Sequence, residues 1–344
     1  MPDKATYDIL LTKGIRVDNC PYNKYDSLAS EDDLIALFEV LNRFRDINGN
    51  PPIITANCVL ANPDFDKIRR SDFKEYHYEL FTDTLKKYPK HSLSFTLWKQ
   101  GIDNNLFYPQ FHGREHLNVA RWMKALELKL PETRLAFDLN LFGIGKNITK
   151  ENRKNFLEAF AVDAIGDETQ INKIVAEGLL LFKEIFGFTS KSFIAPNYVW
   201  SPTIEEELYK QNVKYIQGQR MQIAPIFNSS KKYKINHFTG QRNKYGQIYT
   251  IRNCEFEPSF DNRKDSINGC LAQIANAFRW GKPAIISSHR VNFIGSIESS
   301  NRDRNLLLFS DLLSKIQKRW SNAEFMTTNK LGDLILMKKC KDNE

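Results

Sequence analysis

Two of the chain's six histidines, His112 and His116, stand four residues apart directly after the short apolar run Phe107 to Phe111. Four residues make one helical turn, so a helix opening at Arg114 would carry both imidazoles on one face. Two converging neutral imidazoles supply two thirds of a three-ligand catalytic metal site, with a further position left to water. A histidine hydrogen-bonded at a strand end is the plainer alternative for either residue. A third, His289, closes a later apolar run, Ala284 to Ser288.

The elements that must position these residues follow from the hydrophobic pattern. Pro52 to Leu60 is a continuous apolar, β-branched run, the signature of a strand buried on both faces. Phe107 to Phe111, Lys191 to Trp200, Val213 to Gln217, Ile248 to Phe256 and Lys282 to Phe293 read as further strands. Helices are expected over Ala5 to Lys13, from Ser30 as N-cap to Phe44, after the histidine pair through Leu126, over most of Pro131 to Gly187, from Pro202, over Ile267 to Trp280 and over Asn305 to Trp320.

Strand and helix alternate without an internal repeat or a linker. The expectation is one α/β domain over 1–344, with an N-terminal helical segment 1–50 and a barrel-like, mainly parallel core over 51–334. In such folds the site lies at the C-terminal ends of the strands. The polar residues that close each apolar run are therefore candidates: Asn57, His112, His116, Asn197 with Tyr198, Gln217 with Gln219, Arg252 with Asn253, and His289 with Arg290 and Asn292.

Composition narrows the classes. With 344 residues, 42% hydrophobic and 26% charged, the chain suits a globular protein with a sizeable core. No apolar run approaches the length of a membrane span and the N-terminus has no signal-peptide pattern, so it reads as cytoplasmic. Five scattered cysteines without a C-x-x-C pair suggest reduced thiols. The net charge of +8 is dispersed, with small clusters at Ser229 to Lys234 and Lys338 to Lys341. It suits an acidic sugar polymer among other anions, and no nucleic-acid partner is expected.

The order of these motifs resembles the polysaccharide deacetylases (NodB-homology domain, carbohydrate esterase family 4): His-Gly-x-x-His after a strand, then Phe-Ile-Ala-Pro-Asn-Tyr, Val-Lys-Tyr-Ile-Gln-Gly and Ile-Ser-Ser-His. The resemblance runs from about Pro51 to Leu334. It implies a distorted, incomplete (β/α) barrel and metal-dependent removal of acetyl groups from a polysaccharide or oligosaccharide. It also implies His112 and His116 as ligands of a divalent metal, zinc first, and His289 as general acid toward the leaving group. Pro196 and Tyr198 would wall the groove; Asn57, Asn197, Arg252, Asn253, Arg290 and Asn292 are expected substrate contacts from their place at the strand ends alone.

The chain departs from that pattern twice. The family's Thr-Phe-Asp-Asp type motif on the first strand, which supplies a base and a carboxylate ligand, has no counterpart, and Ile194 or Ala195 stands where the proline motif usually has arginine. The expectation is a chain that starts late, at an internal methionine, and lacks its first strand; a natural variant that has lost catalysis is the alternative. Two other readings compete. His112-x-x-Glu115-His116 fits the inverzincin peptidase string, with Glu115 as general base, although Gly113 and Pro109 suit a helix interior poorly. A non-catalytic glycan-binding module would keep the aromatics Tyr198, Trp200 and Phe293.

Overall fold

The short β-branched and aromatic runs of the sequence pair as parallel strands. In the computed structural model, which describes residues 1–164, 166–226, 232–260 and 265–341, five of them form one sheet in chain order. They are Ile54–Cys58, Phe107–Phe111, Ser192–Ile194, Tyr215–Gly218 and Ile248–Ile251, each parallel to its neighbour. A two-stranded parallel pair, Cys254–Glu255 with Ile286–Ser287, continues beyond the last of them. The chain is thus a mixed α/β protein around a parallel sheet. Among the described residues no barrel is detected: the five-stranded sheet is open, and Ile54–Cys58 pairs with no strand but Phe107–Phe111.

Alternation along the strands divides the sheet into two faces. Cys58, Phe111, Phe193, Ile216, Tyr249 and Ile251 form an apolar face, packed with Val175, Leu179 and Phe182 of the helix Asp167–Phe186. The opposite face carries Asn57, Gln110, Ser192 and Gln217. Gln217 Nε2 donates to Asn57 Oδ1 at 2.8 Å and to Ser192 Oγ at 2.9 Å, while Gln110 Oε1 accepts from Ser192 N and Oγ at 2.8 Å each. Buried amides joined in this way tie four strands together and fix their register, because leaving any one unpaired would cost about 1–3 kcal/mol.

The helix Thr328–Lys341 covers part of this polar face. Its first residue donates from N to Thr55 Oγ1 at 3.0 Å, and Asp333 accepts from the Tyr215 hydroxyl. Gly332 lets the helix approach, since a Cβ there would stand 2.3 Å from the Tyr215 ring.

Several sequence expectations are corrected. No helix opens at Arg114: residues 112–118 are loop, and the helix Val119–Glu127 begins only after Asn118, whose side chain accepts from Arg121 N. The run Ile248 to Phe256 breaks at Arg252 and Asn253, where the chain leaves one strand partner and joins another. Of Pro131 to Gly187, expected to be mostly helical, the described residues hold two helices, Pro131–Asp138 and Asp167–Phe186, with a long loop between them. A hairpin, Met221–Pro225 with Lys232–Asn236, for which no element is expected, lies between the strands Tyr215–Gly218 and Ile248–Ile251. Of the two basic clusters, residues 229–231 and the side chains past Lys338 lie outside the described residues.

Candidate active site

Gly113 brings the two histidines together. Its φ of +125° is open to glycine and denied to other residues, and the turn it permits returns the chain so that the His112 and His116 rings sit with centroids 5.0 Å apart at 72°. The convergence expected from a helical turn is therefore made by a loop. Its partner strands hold it in place: His112 N donates to Cys58 O at 2.9 Å, and Leu60 N and Ala61 N both donate to Arg114 O.

The His112 Nδ1–H is directed at the Ile194 carbonyl, 2.8 Å away, which leaves the Nε2 lone pair free. His116 Nδ1 is buried with no hydrogen-bond partner. Enclosure by neighbouring atoms holds His112 well below the usual imidazole range, with the His116 charge acting in the same direction. Burial lowers His116 to about 4. Both are neutral at pH 7, the form that ligates a metal. A hydrogen bond fixing one ring nitrogen while the other stays free, beside a buried nitrogen without a partner, fits a divalent cation such as zinc at two positions. Among the described residues no cluster of three His, Cys, Asp or Glu side chains supplies a third ligand.

His289 follows the strand Ile286–Ser287. Its Nδ1 lies 2.6 Å from Glu257 Oε1, and the Tyr22 ring meets it edge-on at 5.6 Å. A charge placed on His289 would be one of the smaller influences that lower His112 and His116, after burial. Arg252, just past Ile248–Ile251, donates from Nη1 to Tyr198 Oη and Ser287 Oγ at 3.2 Å each. Tyr198 is held over the rim by a turn in which it and Asn197 have φ of 57° and 54°, left-handed values that non-glycine residues seldom adopt. Pro196 is buried beneath that turn and Asn197 is exposed.

Gln219 is exposed just past Tyr215–Gly218, and the other candidates are engaged within the fold. Asn57 belongs to the amide ladder. Asn253 donates to Pro283 O at 2.9 Å and accepts from Ile285 N at 2.7 Å, clamping the break between strands. Asn292 is fully buried; it donates to Glu257 Oε2 at 2.7 Å and accepts from Ser259 N at 3.0 Å. Arg290 forms a two-pronged ion pair with Asp26, at 2.9 Å for each prong. Glu115 bonds to the Tyr76 hydroxyl at 3.0 Å and Arg114 Nε at 2.6 Å, and Arg114 also pairs with Glu177. As residues 112–116 are not helical, the helical H-x-x-E-H arrangement of the peptidase reading is absent.

Sequence reading missed Glu257 and Asp26. Glu257 stands directly after the run Ile248 to Phe256, whereas the candidates for that run, Arg252 and Asn253, lie inside it. Asp26 lies in a polar loop with no pattern to mark it.

No family model matches the chain, and no curated relative matches it. Among solved structures the chain is similar to IcaB from Ammonifex degensii, with 15% identity, coverage of 36% of this chain and 38% of that one, and a TM-score of 0.23. It is also similar to TK1436, a GH57 branching enzyme from the hyperthermophilic archaeon Thermococcus kodakaraensis determined in complex with glucose, with 10% identity, coverage of 88% and 64%, and a TM-score of 0.41. The chain spans less than two thirds of either structure.

Proposed function

We propose that this chain carries a carbohydrate-processing site for metal-dependent deacylation, removing acetyl groups from a polysaccharide or oligosaccharide. The observation that carries the reading is the neutral pair His112 and His116, 5.0 Å apart between ring centroids, together with the His289–Glu257 couple past the end of another strand. A divalent cation held by His112 and His116 would lower the pKa of water and polarise the acyl carbonyl. Glu257 fixes the His289 ring by accepting from Nδ1, so Nε2 is the nitrogen left to give a proton to the departing amine or alkoxide. Tyr198 and Arg252 line the rim where the sugar would lie, and the amide ladder beneath keeps the strands that bear these residues in register.

The test is acetate release from N-acetylated and O-acetylated oligosaccharides by the zinc-loaded chain. His112→Ala and His116→Ala should abolish stoichiometric zinc binding and turnover, whereas His289→Ala should keep the metal and slow the reaction. Stoichiometric zinc retained by both of the first two variants would overturn the ligand assignment. The absence of a third ligand among the described residues favours one second reading, a glycan-binding module of the same fold. Oligosaccharide binding without acetate release, unaffected by His112→Ala, would establish it.

A further inference from the structure

Three arginines lie around the histidines, and their partners differ in kind. Arg114 is matched by the carboxylates of Glu115 and Glu177, and Arg290 by that of Asp26. Arg252 has only the hydroxyls of Tyr198 and Ser287, both at Nη1 and both at 3.2 Å. A guanidinium offers five N–H donors in a planar fork. Here one nitrogen meets two neutral oxygens at the long end of the hydrogen-bond range, and Nε and Nη2 have no partner among the described residues. The group is partly buried, and its charge reaches His112. A partly desolvated cation without a counter-ion among the described residues, with most of its fork unused, is organised for an anion that arrives from solution.

From this we infer that Arg252 is an anion-recognising subsite, and that the sugar taken by this site bears a carboxylate close to the group being processed. The inference rests on the proposed carbohydrate reading and narrows its substrate class to acidic, uronate-type glycans. Tyr198 and Ser287 hold the guanidinium by one nitrogen and leave Nε and Nη2 for two-pronged contact with the carboxylate. The net charge of +8 favours approach of such a polymer at low salt.

The experiment compares an acetylated hexuronate oligosaccharide with its carboxyl-reduced, neutral counterpart, by calorimetric binding and by acetate release, for the wild-type chain, Arg252→Gln and Arg252→Lys. The wild type should bind the acidic oligosaccharide about tenfold or more tighter, as loss of a charge-assisted contact implies. That preference should shrink with added salt, disappear in Arg252→Gln and survive in part in Arg252→Lys, which keeps the charge without the fork. In turnover the preference should lie in KM rather than in kcat. Equal binding of the two oligosaccharides by the wild type, failure to bind either, or a preference that persists in Arg252→Gln would overturn the inference. A preference dependent on Arg252 without acetate release from either compound would uphold it while overturning the deacylation reading. Acetate released equally from both would do the reverse.

Discussion

Glu257 and His289 meet across two parallel strand ends, Oε1 to Nδ1 at 2.6 Å, and the second carboxylate oxygen of Glu257 is held by Asn292 Nδ2 at 2.7 Å. Asn292 is in turn fully buried, so the carboxylate is set by the fold rather than by solvent. The couple should act as a unit. Glu257→Ala and His289→Ala are each expected to slow acetate release by about 10²-fold, the scale of general acid catalysis. The double variant should be no slower than the worse single, and multiplied losses in that cycle would show that the two act independently.

The loop that joins the histidines depends on one residue. Gly113→Ala would force a side chain into a φ of +125° and place its Cβ 3.0 Å from the Glu115 carbonyl oxygen. A cost of about 1–3 kcal/mol is expected in urea unfolding, together with weaker zinc binding because His112 and His116 no longer converge. Unchanged zinc affinity in a measurably destabilised variant would mean that the loop geometry does not govern the pair.

Stability should fall in alkali. Burial pushes the Cys254 and Cys270 thiols up to about 12 and Cys58 higher still, and it raises Tyr249 in the same direction. Unfolded thiols titrate near 8.5. A raised folded pKa contributes stability that is complete below the unfolded value and is lost as pH climbs through the folded one. The urea midpoint should therefore decline from about pH 8.5 toward pH 12, and a thiol reagent at pH 8 should leave these three cysteines untouched in the native protein. A flat or rising midpoint, or rapid labelling of Cys254, would contradict this.

Gly332→Ala tests the cover over the polar face. Its Cβ would collide with the Tyr215 ring, a rigid group held by Asp333, so a loss of about 1–3 kcal/mol is expected. Tyr215→Leu combined with Gly332→Ala should recover part of it by making room. No recovery in that pair would mean that the loss arises elsewhere.

How far the sequence could be read depended on the signal available at each place. Strands such as Ile54–Cys58 and Phe107–Phe111 were legible because strands buried in a parallel sheet must be apolar or β-branched along much of their length. The helix from Glu31 was legible because Ser30 and Asp33 form a reciprocal cap that local sequence encodes. Thr328–Lys341 was not, since its mixture of Lys, Asp and Gly resembles a solvated tail and only the Tyr215 and Thr55 contacts reveal its role. Closure of the sheet was equally illegible, because whether Ile54–Cys58 finds a second neighbour depends on curvature that no local pattern records. Within the site, residue types marked His112, His116 and His289. The internal engagement of Asn57, Asn253 and Asn292 depended on partners 30 to 160 positions away.

The bond from Thr328 to Thr55 joins positions 273 residues apart. On a ribosome, where chains emerge from the N-terminus, the strand Ile54–Cys58 must wait for those 273 further residues to be made before that side of it is covered. Throughout synthesis the amide ladder faces water that competes for every one of its hydrogen bonds, and strand register is held mainly by the apolar face. Such long-range closure makes for slow maturation. A nascent molecule of this kind is exposed longest along the amide ladder that joins the strands bearing the candidate site.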